Sequence, residues 1–103
     1  MFISILTHFL DEKGNIPKEM TKEGKEMASF LGLIVDAATK DYTPLKKSAE
    51  IRCLTKNCKG IIEISVDTKN EFIHWNCSTC SEAGRISDWQ KTKFDNRSGN
   101  QKR

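Results

Sequence analysis

The first forty residues repeat their apolar side chains with the period of a helix. The opening segment spaces five of them at i, i+3, i+4, i+7 and i+8, namely Phe2, Ile5, Leu6, Phe9 and Leu10. This spacing predicts an amphipathic helix of three turns. Gly14-Asn15 ends the pattern, and Pro17 suits the entry into a second element.

A second helix is predicted from about Lys22 to Thr39, with Thr21 as its N-cap. Its apolar face is formed by Met20, Met27, Phe30, Leu31, Ile34, Val35 and Ala38. Gly32 is unfavourable in a helix by roughly 1 kcal/mol relative to Ala, so it either permits a neighbour to approach closely or is tolerated by a strong stripe. We expect the two helices to form an αα-hairpin over residues 1–40.

From Ile51 onward the apolar period changes from 3.6 to 2, which indicates strands. Residues 60–66 and 71–76 are predicted to pair as an antiparallel hairpin across the polar turn 67–70. Residues 85–89 are predicted to form a third strand. Residues 41–50 contain Pro44, which cannot continue a helix, and we interpret them as a linker.

Four cysteines occur as two pairs, Cys53-x₄-Cys58 and Cys77-x₂-Cys80. Tetrahedral Zn²⁺ needs four thiolates about 2.3 Å from one point, and two short loops can supply two each. The predicted hairpin between the pairs runs out and back, which would bring the second pair beside the first. We therefore predict one structural Zn²⁺ ion bound by Cys53, Cys58, Cys77 and Cys80, with no open position for catalysis.

Other interpretations of the cysteines are weaker but stay open. Mononuclear iron also accepts four thiolates. A disulfide framework needs an oxidising compartment, for which no targeting segment argues. Cys77-x₂-Cys80 could be a thiol redox pair, although such pairs usually start a helix and strands are predicted on both sides here. Trp75 shares a strand face with Cys77, so we expect it to pack beside the metal.

The cysteine region resembles the zinc-ribbon domains of small uncharacterised bacterial proteins. The similarity covers about 40 residues, from Cys53 to Thr92, and includes Gly60, Gly84 and Trp89 as well as the cysteines. It implies a three-stranded sheet with two metal-binding knuckles, in which Gly60 packs next to the site. The first pair departs from the common two-residue spacing, and neither pair is followed directly by glycine. The ribbon occurs in transcription, translation and structural proteins, so it implies no single function.

The charge is unevenly distributed. The formal net charge is +3, and residues 91–103 contain five basic residues against Asp95 alone. Past Phe94 this stretch has no apolar residue, and we interpret 93–103 as a disordered basic tail. Such a tail is either a solubilising end or a contact for phosphates, in which case the contacting residues would be Lys91, Lys93, Arg97, Lys102 and Arg103.

Together these patterns predict an α+β protein, with an N-terminal αα-hairpin (1–40), a linker (41–50), a three-stranded antiparallel Cys₄ zinc ribbon (51–92) and the tail. No phosphate-binding glycine loop, His-Glu-x-x-His or nucleophile elbow is present, so we expect no enzyme activity. The opening apolar run is too short to span a bilayer and lacks the features of a signal peptide, which favours a cytoplasmic protein without membrane contact.

The expected role is binding to another protein, through apolar surface left over on the helical hairpin around Met27, Phe30 and Leu33. The alternative is a nucleic-acid-binding ribbon that uses the basic tail and an exposed Trp75 or Trp89 as a stacking platform. The third hypothesis is the thiol redox protein described above.

Overall fold

One α-helix and five strands form the regular structure of the computed structural model, which describes residues 2–40, 42–55, 57–90 and 92–96. The helix, α1, spans Lys22–Lys40. The strands are β1 (Phe2–Ile5), β2 (Lys47–Arg52), β3 (Ile61–Asp67), β4 (Phe72–Cys77) and β5 (Ala83–Ser87), and a 3₁₀ helix at Leu6–Phe9 follows β1.

The strands form a single mixed sheet in the order β1-β5-β4-β3-β2. The predicted hairpin is confirmed, because β3 and β4 are antiparallel with Ile64 opposite Trp75. The third strand predicted over residues 85–89 corresponds to β5, which begins two residues earlier, ends at Ser87 and pairs antiparallel with β4. At the far edge β1 runs parallel to β5, with Phe2 opposite Gly84.

The predicted αα-hairpin on a three-stranded ribbon is wrong, since the first segment is a strand and a 3₁₀ turn. A helix of so few residues is marginal by itself, because nucleation is costly. Phe2, Ile3 and Ile5 favour strands, and β1 covers the edge that β5 would otherwise expose. Only Leu6 of the predicted stripe is completely buried.

The second helix is confirmed at nearly the predicted bounds. Its N-cap is also confirmed, since the Thr21 hydroxyl accepts a hydrogen bond of 3.1 Å from the Gly24 N–H. The predicted linker is shorter than expected because residues 47–50 belong to β2. The sequence does not predict this strand because its inward side chains are only half-buried. Its pairing with β3 is also interrupted between Ser48 and Arg52.

The core lies between α1 and one face of the sheet. Along β3, β4 and β5 alternate side chains are buried, and α1 packs across β2, β3 and β4. The residues with least exposure are Leu6, Leu31, Ile34, Val35, Ala38, Ile62, Ile73, Ile86 and Trp89. This layer of helix on sheet holds the ends of the strands in place, and the candidate site is built on those ends.

The segment 92–96 packs against α1 at Gly32 and Thr39. A Cβ at Gly32 would lie 2.7 Å from the Phe94 ring, so glycine here does permit a close neighbour. The Asn96 N–H donates a 2.8 Å hydrogen bond to the Thr39 hydroxyl. The predicted disordered tail therefore begins too early, because residues 93–96 pack on α1 through the Phe94 ring at Gly32. Residues 97–103 lie outside the described residues.

We expect Gly84→Ala to destabilise the protein. A Cβ at this position would lie 2.6 Å from the indole of Trp75, and that ring is held edge-on against Phe30 at 5.1 Å between centroids. Overpacking of this kind costs about 1–3 kcal/mol in the free energy of unfolding, which chemical denaturation would measure.

Gly24→Ala is the matched control for that substitution. The Cβ added there meets the flexible side chain of Met20 and, at 3.2 Å, the Thr21 hydroxyl, whereas Gly84 faces a packed aromatic ring. Alanine also raises helix propensity by up to about 1 kcal/mol, so stability should stay the same or increase. Equal loss of stability in both variants would contradict the packing described for Trp75.

Candidate metal centre

Two loops at one end of the sheet position the four cysteines. Cys53 and Cys58 lie in the loop that joins β2 to β3, while Cys77 ends β4 and Cys80 lies in the loop before β5. Since β3 and β4 pair directly, with Ile62 opposite Cys77, the two loops come to the same place. The sequence prediction that the hairpin brings the two pairs together is therefore confirmed.

The four sulfur atoms form a compact cluster, all within 4.8 Å of one another. Cys58 Sγ lies 3.5 Å from Cys77 Sγ, and Cys53 Sγ lies 3.7 Å from Cys80 Sγ. Four ligands about 2.3 Å from a tetrahedral metal would be about 3.8 Å apart. Both close pairs join different loops, and all four cysteines are free thiols. The four residues could therefore hold one metal ion between them.

Backbone N–H groups point at three of the sulfurs. Thr55 donates to Cys53 Sγ at 3.4 Å, Gly60 to Cys58 Sγ at 3.4 Å, and Thr79 to Cys77 Sγ at 3.3 Å. Such donors favour a sulfur that carries negative charge, as metal-bound thiolates do. The loops are thus shaped to receive thiolates.

Gly60 lets the second loop approach the first. A Cβ there would collide with Cys77 Sγ and would lie 2.9 Å from the Thr79 side chain. The Gly60 carbonyl accepts a hydrogen bond of 3.0 Å from the Cys53 N–H, which closes the first loop. Gly60 is predicted to pack next to the site, and the structure places it against Cys77 and Thr79.

The surroundings separate the pKa values of two of the thiols. The N–H groups of Cys80 and Thr79 lower the pKa of Cys77 from 9.0 to about 6. For Cys58 the Gly60 N–H acts in the same direction, but burial and the contacts with the other thiols outweigh it and raise the pKa to about 12. Without a cation the surroundings thus favour a thiolate at Cys77 and a protonated thiol at Cys58.

Trp75 lies on the same face of β4 as Cys77 and is buried. Its ring stacks on Phe2 at 6.2 Å between centroids and lines a small cavity of about 210 Å³ together with Cys53 and Thr55. The predicted packing of Trp75 beside the cysteines agrees with this arrangement. Its indole connects the site to both β1 and α1.

The residues predicted to contact nucleic acid are only partly described. Lys93 is exposed, and its Nζ donates a 3.2 Å hydrogen bond to Asn15 Oδ1. Lys91, Arg97, Lys102 and Arg103 lie outside the described residues. The predicted stacking platform is wrong, because Trp75 is only 4% exposed and Trp89 is completely buried.

Several residues of the site were not predicted from the sequence. Asn57 has a positive φ of 66°, a conformation that Asn tolerates and that turns the first loop toward Cys58. The Thr55 hydroxyl donates to Glu82 Oε2 at 3.4 Å and so joins the two loops. The Asn immediately before the second cysteine was the available signal for the turn, whereas nothing local marks the Thr55 to Glu82 contact.

No protein-family model, curated protein or solved structure matches this chain. The resemblance of residues 53–92 to zinc ribbons therefore stays a prediction. Within the part of the chain that the structure describes, no helix is long and apolar enough to cross a membrane.

The pKa of Cys58 predicts that metal affinity rises with pH. Metal binding must remove the Cys58 proton, which is still bound well above neutral pH, so raising the pH favours the bound state. Each proton released makes the apparent affinity about tenfold higher per pH unit, and we expect at least one between about pH 6.5 and 8. Competition with a chromophoric chelator measures this slope, and an affinity independent of pH would contradict the prediction.

Proposed function

We propose that the protein is a zinc-binding module without enzyme activity, in which one Zn²⁺ ion bound by Cys53, Cys58, Cys77 and Cys80 stabilises a surface for another protein. The observation that carries the proposal is the cluster of four sulfurs within 4.8 Å, supplied equally by two loops. Four thiolates fill a tetrahedral zinc site and leave no position for substrate or activated water.

The choice of zinc rests on ligand chemistry. Four thiolate ligands select zinc or iron among the common metals, and tetrahedral all-cysteine sites are most often structural zinc. Bound Zn²⁺ would supply charge compensation: one divalent cation offsets half the charge of four thiolates, which the backbone N–H donors stabilise further.

A structural role follows from what the cysteines connect. Cys53 and Cys58 flank the ends of β2 and β3, and Cys77 and Cys80 flank the ends of β4 and β5. A metal at this point would tie four neighbouring strands together. In a chain of 103 residues the hydrophobic core is small, so such a cross-link is a substantial part of the stability.

We expect the protein, purified under reducing conditions without chelator, to contain one zinc ion per chain. Native mass spectrometry would give the stoichiometry, and elemental analysis would give the metal. Cys80→Ser should abolish retention of zinc and reduce amide dispersion in residues 51–90, because three ligands cannot close the site.

Ser81→Ala is the matched control, since Ser81 is exposed and directly follows Cys80. That variant should retain full zinc content and the wild-type amide spectrum. Metal-free wild-type protein with a Cys77–Cys80 disulfide would contradict the proposal and favour the redox hypothesis. Iron in place of zinc would contradict the choice of metal but not the ligand set.

A further inference from the structure

An open groove of about 780 Å³ lies between α1 and the strand that leads into the first cysteine loop. Its apolar lining consists of Phe30 and Leu33 from the helix and of Ile51 and Leu54 from the opposite wall. Leu33 is 55% exposed and Leu54 is 45% exposed, which is unusual for large apolar side chains that face each other across a groove.

The charges around the groove have mostly one sign. Lys22 and Lys25 lie on the helix wall and Arg52 on the strand wall, against the single carboxylate of Glu26. Among the described residues none of the three cations forms an ion pair. An occupant that neutralises them must bring acidic groups, and one that covers Leu33 and Leu54 must bring apolar groups.

The helix wall follows one continuous face of α1. Residues 22, 25, 26, 29, 30 and 33 are spaced i, i+3, i+4, i+7, i+8 and i+11, so the groove runs along the helix for about 16 Å. That length matches three turns of a helix laid alongside. The bulge of β2 between Ser48 and Arg52 makes strand addition at this edge less suitable.

We propose that this groove binds an acidic amphipathic segment of a partner protein. Apolar side chains of the segment enter between Leu33 and Leu54, and its carboxylates meet Lys22, Lys25 and Arg52. The phosphate backbone of a nucleic acid would satisfy the cations but would leave the leucines exposed.

The groove is also linked to the cysteine site. Ile51, Arg52 and Leu54 flank Cys53, so the strand wall is fixed when Cys53 holds the metal. This coupling rests on the proposed function. The peptide-binding surface itself does not, because its helix wall belongs to α1.

The test uses the zinc-loaded protein of residues 1–103 and a synthetic peptide with leucines at i, i+3, i+4 and i+7 and glutamates at flanking positions. We expect amide shift changes confined to residues 22–33 and 51–54 on titration. A peptide with lysines in place of the glutamates should bind at least about tenfold more weakly, since it would be repelled by the three cations.

Leu33→Ser and Lys25→Glu should each weaken binding of the acidic peptide, Leu33→Ser by at least about tenfold. Their matched controls are Leu45→Ser and Lys69→Glu, which alter exposed residues outside the groove lining and should leave the affinity unchanged. Chelation of the metal should weaken the peptide complex in wild-type protein if the coupling holds.

The proposed binding of an acidic segment to the groove would be overturned by any of the following results: no amide shift changes with the acidic peptide, equal binding of the lysine peptide, or shift changes outside the groove. Preferential binding of single-stranded DNA or anionic vesicles at this face would also overturn it. Self-association that buries Leu33, seen in sedimentation, would replace the peptide by a second copy and overturn it as well. Zinc content is measured on the same samples, so a zinc-free protein that still binds the peptide would refute the proposed function and not the groove.

Discussion

The convergence of four cysteine sulfurs is the constraint on which the sheet depends. Each of the strands β2, β3, β4 and β5 begins or ends beside one of these residues, so the positions of four strand ends meet in one cluster less than 5 Å across. Negative charge on several of these sulfurs at that distance is unfavourable without a cation, because like charges repel. The raised pKa of Cys58 next to the lowered pKa of Cys77 is consistent with this repulsion, which a bound divalent metal would reduce.

Trp75 transmits the position of the strand ends to the rest of the fold. It lies two residues before Cys77, contacts Phe30 of α1 edge-on and stacks on Phe2 of β1. The absence of a side chain at Gly84 allows its ring to approach β5 closely. One aromatic side chain thus connects the cysteine end of β4 with the helix and with the opposite edge of the sheet. Because its indole is buried here, it serves packing and is not exposed for recognition of bases.

The features predicted correctly from the sequence are those encoded by nearby residues. The cysteine spacing and the length of the hairpin identify the ligand cluster, and the periodicity and N-cap identify α1. The pairing of Phe2 with Gly84 joins residues that are far apart in the sequence, and no local pattern encodes it. The N-terminal stripe has the spacing of a helix, but in so short a segment that spacing does not outweigh the strand preference of Phe2, Ile3 and Ile5 and the open edge of β5. The sequence does not predict β2, because the inward residues of this strand are only half-buried and its alternation of apolar and polar side chains is weak.

The unusual spacing of the first cysteine pair acquires a physical sense when its loop is compared with the second. Cys77 and Cys80 are separated by Ser78 and Thr79, which are polar and exposed. The four residues between Cys53 and Cys58 include Leu54, whose apolar side chain is 45% exposed. Metal binding by the loop does not require such a side chain. Two extra residues, with Asn57 turning the chain back toward the cluster, allow Leu54 to face α1 while Cys53 faces the other sulfurs. A single loop can therefore contribute to the cysteine cluster on one side and line a groove on the other, so the position of Cys53 and the shape of the groove are linked through one stretch of chain.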